Sequence, residues 1–176
     1  DELFSGYNKH SAEFRARNLG FMEQVVSALK PIWFLLPGSR NSVLGTRVLQ
    51  LQTFSNGVSL GSKDRYWTWA SFMPENQVGK LIQLDGVDSS QLAGRKSKLT
   101  SGLNTTRDVD EVLYSDLHQV LRNDMLTKVD LMSMANSLEV RVPFLDHELV
   151  EFACSLPEEY KITSSIRKRI LQETYR

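Results

Sequence analysis

Apolar residues recur near the helical period in most of the chain, and this pattern predicts a mainly α-helical fold. Residues 12–30, "AEFRARNLGFMEQVVSALK", predict one helix, and residues 32–37, "IWFLLP", predict a kinked hydrophobic turn after it. The stretches "SVLGTRVLQLQTF" and "KDRYWTWASFM" predict two more helices, joined by "SNGVSLGS". We expect the aromatic residues of the second stretch to pack in a core, namely Trp67, Trp69 and Phe72.

The periodicity weakens and then returns in the second half. Residues 89–104, "SSQLAGRKSKLTSGLN", are rich in Gly, Ser and Lys and favour an exposed connection. Its basic cluster is expected to be a solvated face: Arg95, Lys96 and Lys98. Apolar positions at i, i+3 and i+4 from Val109 onward then predict an amphipathic helix, with Asp108 as its N-cap and Glu111 as the reciprocal partner.

The stretch "DLMSMANSLEVRVPFLDHELVEFA" predicts a helix, an extended joint and a second helix. The first helix should run to about Asn136. Two valines and a proline then favour extended chain over residues 139–144, and Asp146 is placed to cap the next helix. In extended chain Glu139 and Arg141 point to the same side, where such residues usually form an ion pair or cap backbone groups.

Composition limits the kind of protein. The 176 residues contain 41% hydrophobic and 24% charged residues with a formal net charge of zero, which is close to the globular average and gives no sign of nucleic-acid or membrane-surface binding. The single cysteine, Cys154, is expected to be buried, and one cysteine favours a cytoplasmic location. No apolar run is long enough to span a bilayer. The chain does not begin with Met, and we expect its natural N-terminus to lie upstream.

Residues 128–162, "KVDLMSMANSLEVRVPFLDHELVEFACSLPEEYKI", resemble the C-terminal synthetase domain of the glutamine-hydrolysing asparagine synthetases. Members of that family show a helix ending in a Ser-Leu-Glu-Val-Arg-Val-Pro-Phe-Leu-Asp run. The start, "DELFSGY", resembles the second half of their Gly-Glu-Gly-Ala-Asp-Glu-Leu-Phe-Gly-Gly-Tyr segment, and "RKRILQETYR" resembles their Lys-x-x-Leu-Arg helix. Residues 21–106 carry no motif of this kind.

The resemblance implies an ATP-dependent amide ligase. In the family, an N-terminal domain releases ammonia from glutamine, and the synthetase domain uses ATP and Mg²⁺ to form a β-aspartyl-adenylate that ammonia converts to asparagine. By this match Asp1 is the metal ligand, and Lys168 is the catalytic residue that reaches the adenylate and pyrophosphate. A hard carboxylate oxygen suits Mg²⁺, and a lysine suits charge that grows during the transfer. The resemblance also implies four residues that shape the site: Glu2, Glu139, Arg141 and Asp146.

Without the resemblance, Lys168 is one of three basic residues early in a short terminal helix, where a solvated face is the usual explanation. In such a helix Arg167 would lie about 100° away from it. Gln172 replaces the arginine of the family's terminal motif, and Leu131 replaces the arginine common after the aspartate of "KVD". These departures affect the expected substrate and phosphate contacts.

The sequence lacks the family's pyrophosphate loop, Ser-Gly-Gly-x-Asp-Ser, so no nucleotide-binding residue is assigned to it. Cys154 also lies in the wrong context for the glutaminase nucleophile. We therefore expect residues 1–176 to be one piece of an incomplete domain. This piece is the helical C-terminal portion of an adenine-nucleotide α-hydrolase-like (PP-loop) synthetase domain, and alone it should be inactive.

Three functions remain open from the sequence. The first is asparagine synthesis, with aspartate, ATP and glutamine-derived ammonia as reactants, no nucleic-acid or membrane partner, and a homodimer as a possible assembly. The second is a related amidotransferase that acts on a sugar or peptide carboxylate. The third is a non-catalytic helical interaction module, in which Glu139, Arg141 and Lys168 only pack or are solvated.

Overall fold

The fold was obtained as a computed structural model, which describes residues 1–18, 20–81, 89–103 and 108–175. Within these ranges the chain is mainly α-helical and forms no β-strand, as the sequence pattern predicts. The helices are α1 (Asn8–Asn18), α2 (Met22–Ala28), α3 (Lys30–Leu35), α4 (Val43–Gly57), α5 (Ser62–Ala70), α6 (Glu75–Leu81), α7 (Ser89–Leu99), α8 (Asp110–Asp116), the π-helical segment π1 (Leu117–Met125), α9 (Leu126–Met134), α10 (His147–Ser155), α11 (Glu158–Lys161) and α12 (Arg169–Thr174). A 3₁₀ turn covers Pro143–Leu145. None of the helices in these ranges is long and apolar enough to cross a membrane.

The chain divides into two compact units. One consists of Asp1–Arg15 with Arg107–Arg176, and the other of Ala16–Thr106. We call them the terminal unit and the middle unit. Every residue for which the resemblance implies a role lies in the terminal unit.

In the middle unit, α4 packs against α5. The indole N–H of Trp69 donates to the carbonyl of Thr53 at 2.9 Å, and its ring stacks on Phe54 with the centroids 5.5 Å apart. Trp67 is half-buried, but Phe72 is fully exposed, so the expectation that it packs in a core is wrong. Phe72 lies beyond the end of α5 at Ala70, and the helical face that buries the tryptophans does not extend to it.

Three predictions for residues 12–104 need correction. The single helix expected over residues 12–30 is two helices, because Gly20 takes a φ of 56° between α1 and α2. The expected hydrophobic turn is helix α3, in which Pro31 stands in the first turn, where a missing N–H costs nothing. The expected connection at residue 89 onward is helix α7, and the part of it from Asn104 lies outside the described residues.

Lys96 also departs from the expected solvated basic face. Its ammonium lies 3.2 Å from the carboxylate of Asp64 and 3.1 Å from that of Glu75. Arg95 and Lys98 are exposed, as expected. The helix α7 therefore places one of the three basic residues against acids from two other segments of the unit.

The terminal unit has a core built from both ends of the chain. Leu3, Phe4 and Ala153 are buried, and partly buried apolar residues pack on them from π1, α10, α12 and the adjoining segments: Leu117, Leu145, Val150, Leu156, Ile170 and Leu171. Because Leu3 and Phe4 insert among these side chains, the first residues are fixed against the last helix. Burial of apolar surface of this kind is the main source of stability for such contacts.

The predicted helix from Val109 is present, with two differences. It begins at Asp110, one residue later than predicted, so Val109 stands at the N-cap in place of Asp108. The Asp108 carboxylate still accepts a hydrogen bond from the N–H of Asp110 at 2.8 Å. Its α-helical hydrogen bonds change to π-helical ones over Leu117–Met125 and return to α in α9. Apolar periodicity does not distinguish these two hydrogen-bonding patterns.

The segment after α9 follows the predicted order. Helix α9 ends at Met134, and Asp146 caps α10 by accepting from the N–H of Glu148 at 3.1 Å. The extended joint is shorter than predicted, since Pro143 begins the 3₁₀ turn. Cys154 is exposed, so its predicted burial is wrong. Ala153 takes the buried position of α10, and the next residue is rotated about 100° away from it.

Candidate active site

The first seven residues form a tight turn. The N–H of Gly6 donates to the carbonyl of Asp1 at 2.8 Å, while Leu3 and Phe4 point into the core of the terminal unit. A Cβ on Gly6 would lie 2.5 Å from Cε of Lys168 and would also overlap the side chain of Asp1. Glycine at this position therefore allows both charged side chains to close over the turn.

Lys168 closes this arrangement from the other end of the chain. Its N–H donates to the carbonyl of Phe4 at 3.1 Å, and its ammonium forms an ion pair with the Asp1 carboxylate. Lys168 stands just before α12 in the left-handed conformation, with a φ of 52°. The expectation that it lies within the terminal helix is therefore wrong. Left-handed backbone at a lysine is unusual, and such residues are often found at functional sites.

Arg167 also contacts the turn. Its guanidinium donates to the carbonyl of Gly6 and to the side-chain oxygen of Asn8, both at 2.8 Å. The sequence pattern placed it on another face of a helix. Instead it precedes α12 and pairs its backbone with Ile162 in an isolated β-bridge. Arg167 and Lys168 therefore hold the turn together.

A cavity of about 320 Å³ opens beside this turn. Charged side chains stand on one side of it, at Asp1, Glu2 and Lys168. Apolar side chains from the core, π1, α9 and the segment after α9 form the rest of its wall: Leu3, Phe4, Leu121, Met125, Leu126, Val129, Val142, Phe144, Leu145 and Leu171. The π-helical segment contributes two of these residues. The cavity thus has an apolar body and charged groups at one place only, which is common in small-molecule sites.

The other residues implied by the resemblance lie elsewhere. Glu139 and Arg141 form the ion pair expected from their spacing, with Arg141 Nη2 2.6 Å from Glu139 Oε1, and both are exposed. Asp146 is occupied as the cap of α10. None of these three residues lines the cavity. The joint contributes Val142 and Phe144 instead, and the Phe144 ring meets Phe4 edge to face at 6.4 Å.

A buried polar network lies behind the turn, and the sequence reasoning missed it. The hydroxyl of Tyr7 donates to Oε1 of Glu2 at 2.8 Å, and the N–H of Tyr7 donates to Nδ1 of His10 at 3.3 Å. Nε2 of His10 lies 2.7 Å from Oδ2 of Asp116, whose Oδ1 accepts from Lys9 at 2.7 Å. The only signal for it in the sequence was the spacing of Tyr7 and His10. A side chain three residues after the residue that precedes a helix can accept a hydrogen bond from the backbone N–H of that residue.

Burial and charge set the protonation of this network. Burial lowers the pKa of His10 despite the nearby Asp116, so the ring is neutral at pH 7. Burial alone would raise the pKa of Asp116, but the hydrogen bond from His10 and the charge of Lys9 bring it below its ordinary value. Burial and the hydrogen bond to Glu2 raise the pKa of Tyr7, which keeps its hydroxyl as a donor.

The turn offers two carboxylates to Mg²⁺, those of Asp1 and Glu2. No group of three or more His, Cys, Asp or Glu side chains in the described residues could hold a metal ion. Mg²⁺ in nucleotide sites needs only one or two carboxylates, since water and phosphate oxygens complete its shell. The side chain of Asp1 is 34% exposed at the cavity and offers one such carboxylate. The donor set fits a magnesium ion that is shared with a phosphate ligand.

Comparison with known proteins identifies the family. The asparagine synthase family matches the chain over residues 1–176. The chain is 32% identical over 173 residues to "Asparagine synthetase [glutamine-hydrolyzing] 1" of Bacillus subtilis, which covers 98% of this chain and 26% of that protein. It is 47% identical over 64 residues to a "Putative asparagine synthetase [glutamine-hydrolyzing]" of Mycobacterium bovis, which covers 36% of this chain and 10% of that protein.

A human protein, "Asparagine synthetase [glutamine-hydrolyzing]", is 43% identical over 60 residues, which cover 34% of this chain and 10% of that protein. No solved structure matches the chain. The chain spans about a quarter of the length of the Bacillus subtilis relative. The full-length match of residues 1–176 shows that the chain belongs to the asparagine synthase family.

Proposed function

We propose that this chain forms the C-terminal part of the synthetase domain of an ATP-dependent ligase that makes asparagine. The reactants are aspartate, ATP and glutamine-derived ammonia, and the intermediate is a β-aspartyl-adenylate. The observation that carries the proposal is the ion pair between Asp1 and Lys168 at the cavity, in a chain of the asparagine synthase family. The family resemblance assigns a role in this reaction to both residues.

Lys168 supplies positive charge in this proposal. Adenylation brings a carboxylate and a phosphate together, and both are anions, so the transition state gains from a cation in place. The hydrogen bond from the N–H of Lys168 to Phe4 fixes its backbone, and the ion pair with Asp1 keeps its ammonium at the cavity. The side chain is 40% exposed, so a ligand can reach the ammonium.

Asp1 would hold the magnesium ion together with the phosphates of ATP. When bound, the ion neutralises phosphate charge and so favours the departure of pyrophosphate. With the ion bound, the Asp1 carboxylate would hold the metal in place of its contact with Lys168, and the Lys168 ammonium would be available to the reacting groups. Glu2 lies next to Asp1 with its carboxylate held by Tyr7. We propose that Glu2 shapes the turn, whereas Glu139, Arg141 and Asp146 support the segment around Val142 and Phe144.

An exposed apolar surface supports the proposal that more of the domain packs on this chain. From α9 through the 3₁₀ turn, apolar side chains are 40% to 62% exposed: Val129, Leu131, Met132, Met134, Leu138, Val140, Val142 and Phe144. A run of this size usually marks an interaction surface. Because the nucleotide loop is not in this sequence, we propose that these 176 residues alone are inactive.

The test uses the full-length protein that contains this chain. With ATP, Mg²⁺, aspartate and glutamine it should release pyrophosphate and form asparagine in equal amounts. Pyrophosphate release that depends on a sugar or peptide carboxylate, and not on aspartate, would favour the related amidotransferase. No ATP turnover with any of these acceptors would overturn the proposal and favour the interaction module.

A further inference from the structure

Besides the residues assigned above, the terminal unit buries a further group of titratable side chains next to the turn. His10 and Asp116 are both 0% exposed, although neither takes part in the proposed chemistry. Burying a carboxylate is costly unless its charge and hydrogen bonds are satisfied. Here the carboxylate is satisfied by His10 on one oxygen and by Lys9 on the other. A pair of this kind fixes geometry well because any shift breaks a buried contact.

We propose that His10 and Asp116 are positioning residues that fix the Asp1–Tyr7 turn of the adenylation site. The inference rests on the proposed function. It adds that Asp116, at the end of α8, holds the turn in place through His10. It makes neither residue a catalytic residue, since neither lines the cavity.

The direction of the hydrogen bonds supports this role. Nδ1 of His10 accepts from the N–H of Tyr7, so in the neutral ring the proton lies on Nε2 and is donated to Asp116. One ring thus joins the backbone before α1 to the side chain at the end of α8. The ring cannot leave Asp116 without also losing Tyr7.

Hydrogen bonds at the start of α1 connect His10 to the turn. Tyr7 directly precedes α1 and His10 is the third residue of that helix, so the bond from Tyr7 N–H to His10 satisfies a backbone donor as in a capping box. The hydroxyl of Tyr7 then holds Glu2, which is only 5% exposed and is next to Asp1. Asp116, His10, Tyr7 and Glu2 therefore form one continuous path of hydrogen bonds.

The experiment uses the full-length protein and separates the two bonds of the ring. In His10→Gln the amide can reach Asp116 but not the N–H of Tyr7, and in His10→Asn the reverse holds. Asp116→Asn removes the charge of the anchor, and Tyr7→Phe removes only the hydroxyl bond to Glu2. Aspartate-dependent exchange of pyrophosphate into ATP gives kcat and KM, and glutamine hydrolysis in the same samples reports the other half of the reaction.

We expect each variant to lower kcat for exchange by about 10- to 100-fold, because small misplacements of reacting groups have effects of this size. The KM values for ATP and aspartate should change by less than about twofold, and glutamine hydrolysis should persist. The double variant Tyr7→Phe/His10→Gln should lose no more kcat than the more strongly impaired of the two single variants, since both changes interrupt the same path.

The matched control is Asp110→Asn. Asp110 pairs with buried Lys161 at 2.7 Å in the same unit but is not on the path to the turn. It should lower stability and leave kcat for exchange unchanged. If Tyr7→Phe and His10→Gln both keep the wild-type kcat, this inference is overturned while the proposed function stands. The same follows if Asp110→Asn loses as much kcat as the variants of the path do. A wild-type protein with no aspartate-dependent exchange would overturn the proposed function and this inference with it.

Discussion

Asp1 and Lys168 stand near opposite ends of the chain, and their side chains form an ion pair at the cavity of the terminal unit. The pair depends on backbone that both segments hold in place. Lys168 is fixed by the carbonyl of Phe4, and the turn that carries Asp1 is closed by the N–H of Gly6. Changes in residues 1–7 should therefore alter the position of Lys168 as well as that of Asp1.

Ser5 is the strained residue of that turn, and replacing it with glycine should stabilise the protein. Its φ is 58°, and its hydroxyl is buried with no hydrogen-bond partner in the described part of the chain. Left-handed backbone costs a non-glycine residue about 1–2 kcal/mol, and an unsatisfied buried hydroxyl adds about 1–3 kcal/mol. Glycine also loses more chain entropy on folding than serine does, which offsets about 1 kcal/mol of this gain. The free energy of unfolding of Ser5→Gly, from urea denaturation, should rise by about 1–4 kcal/mol.

Ser137 provides the matched control for this change. Its φ is 55°, but it is exposed after the end of α9. Ser137→Gly should relieve the same backbone cost without removing a buried hydroxyl, so its effect should be smaller than that of Ser5→Gly. Equal effects at both positions would show that the hydroxyl of Ser5 costs nothing where it lies.

His10 should make the protein less stable in mild acid. Its folded pKa is lowered by burial, although Asp116 and Glu2 favour the charged ring and Lys9 opposes it. An unfolded histidine has a pKa of about 6.5, so below that pH the unfolded chain binds a proton that the folded chain does not. The free energy of unfolding should therefore fall as the pH drops from 7.5 to 5.5, by at most about 1.4 kcal/mol per pH unit for this group.

Urea denaturation at several pH values measures this dependence. Glutamine cannot titrate in this range, so His10→Gln should show a flatter profile between pH 7.5 and 5.5 than the wild type. Asp116 acts at lower pH, because its pKa is below the ordinary value and its contribution is lost only as the pH falls through that lower folded value. Identical profiles for the two proteins would contradict a neutral, buried His10.

Lys161 should be one of the more sensitive positions of the terminal unit. Its side chain is 2% exposed and its ammonium lies 2.7 Å from Asp110, while burial raises the pKa of Asp110 even in the presence of this cation. Removing the lysine leaves a carboxylate that is only 32% exposed without its partner, so Lys161→Ala should lower the free energy of unfolding by about 2–3 kcal/mol.

Lys128 is the exposed counterpart. It lies 3.8 Å from Asp124 on one helical face, with both side chains more than half exposed. Lys128→Ala should change the free energy of unfolding by less than about 0.5 kcal/mol. A loss at Lys161 no larger than the loss at Lys128 would mean that water reaches the buried pair.

The sequence predicts the parts of this fold that depend on local signals. The helical spacing of apolar residues located α4, α5, α8 and α9. The residue types themselves indicated the Asp146 cap and the ion pair of Glu139 with Arg141. Both of these latter features need only neighbours within a few residues. The break at Gly20 could be suspected from the glycine, but apolar residues on both sides favoured one continuous helix.

The parts that could not be predicted depend on contacts between distant residues. Nothing near Lys96 in the sequence indicates Asp64 or Glu75, and nothing near His10 indicates Asp116. Helix α7 was missed because its apolar positions are few and its polar residues are equally common in loops. The family resemblance gave Asp1 and Lys168 separate roles in one reaction but did not predict their ion pair, and the residues themselves suggested only solvated charges.

The role of Lys168 is the most specific prediction about the site. If its ammonium meets charge that grows in the transition state, Lys168→Ala in the full-length protein should lower the rate of asparagine formation by about 100-fold or more. Stability should change little, because the pair with Asp1 is partly exposed and alanine keeps the same backbone requirement at this position. Glutamine hydrolysis should continue, since that reaction uses a different nucleophile.

Arg169→Ala is the control for lost charge at this end of the chain. Arg169 is partly exposed, pairs with Glu173 one turn along α12 at 2.9 Å and donates to the carbonyl of Glu159 at 3.2 Å. It does not line the cavity, so its loss should leave both rates near those of the wild type. Arg167 is unsuitable, because its guanidinium holds the carbonyl of Gly6 and its removal would disturb the turn. Equal rates of asparagine formation in the wild type and in Lys168→Ala would exclude the adenylation role, and Lys168 would then serve only to hold Asp1 against the end of the chain.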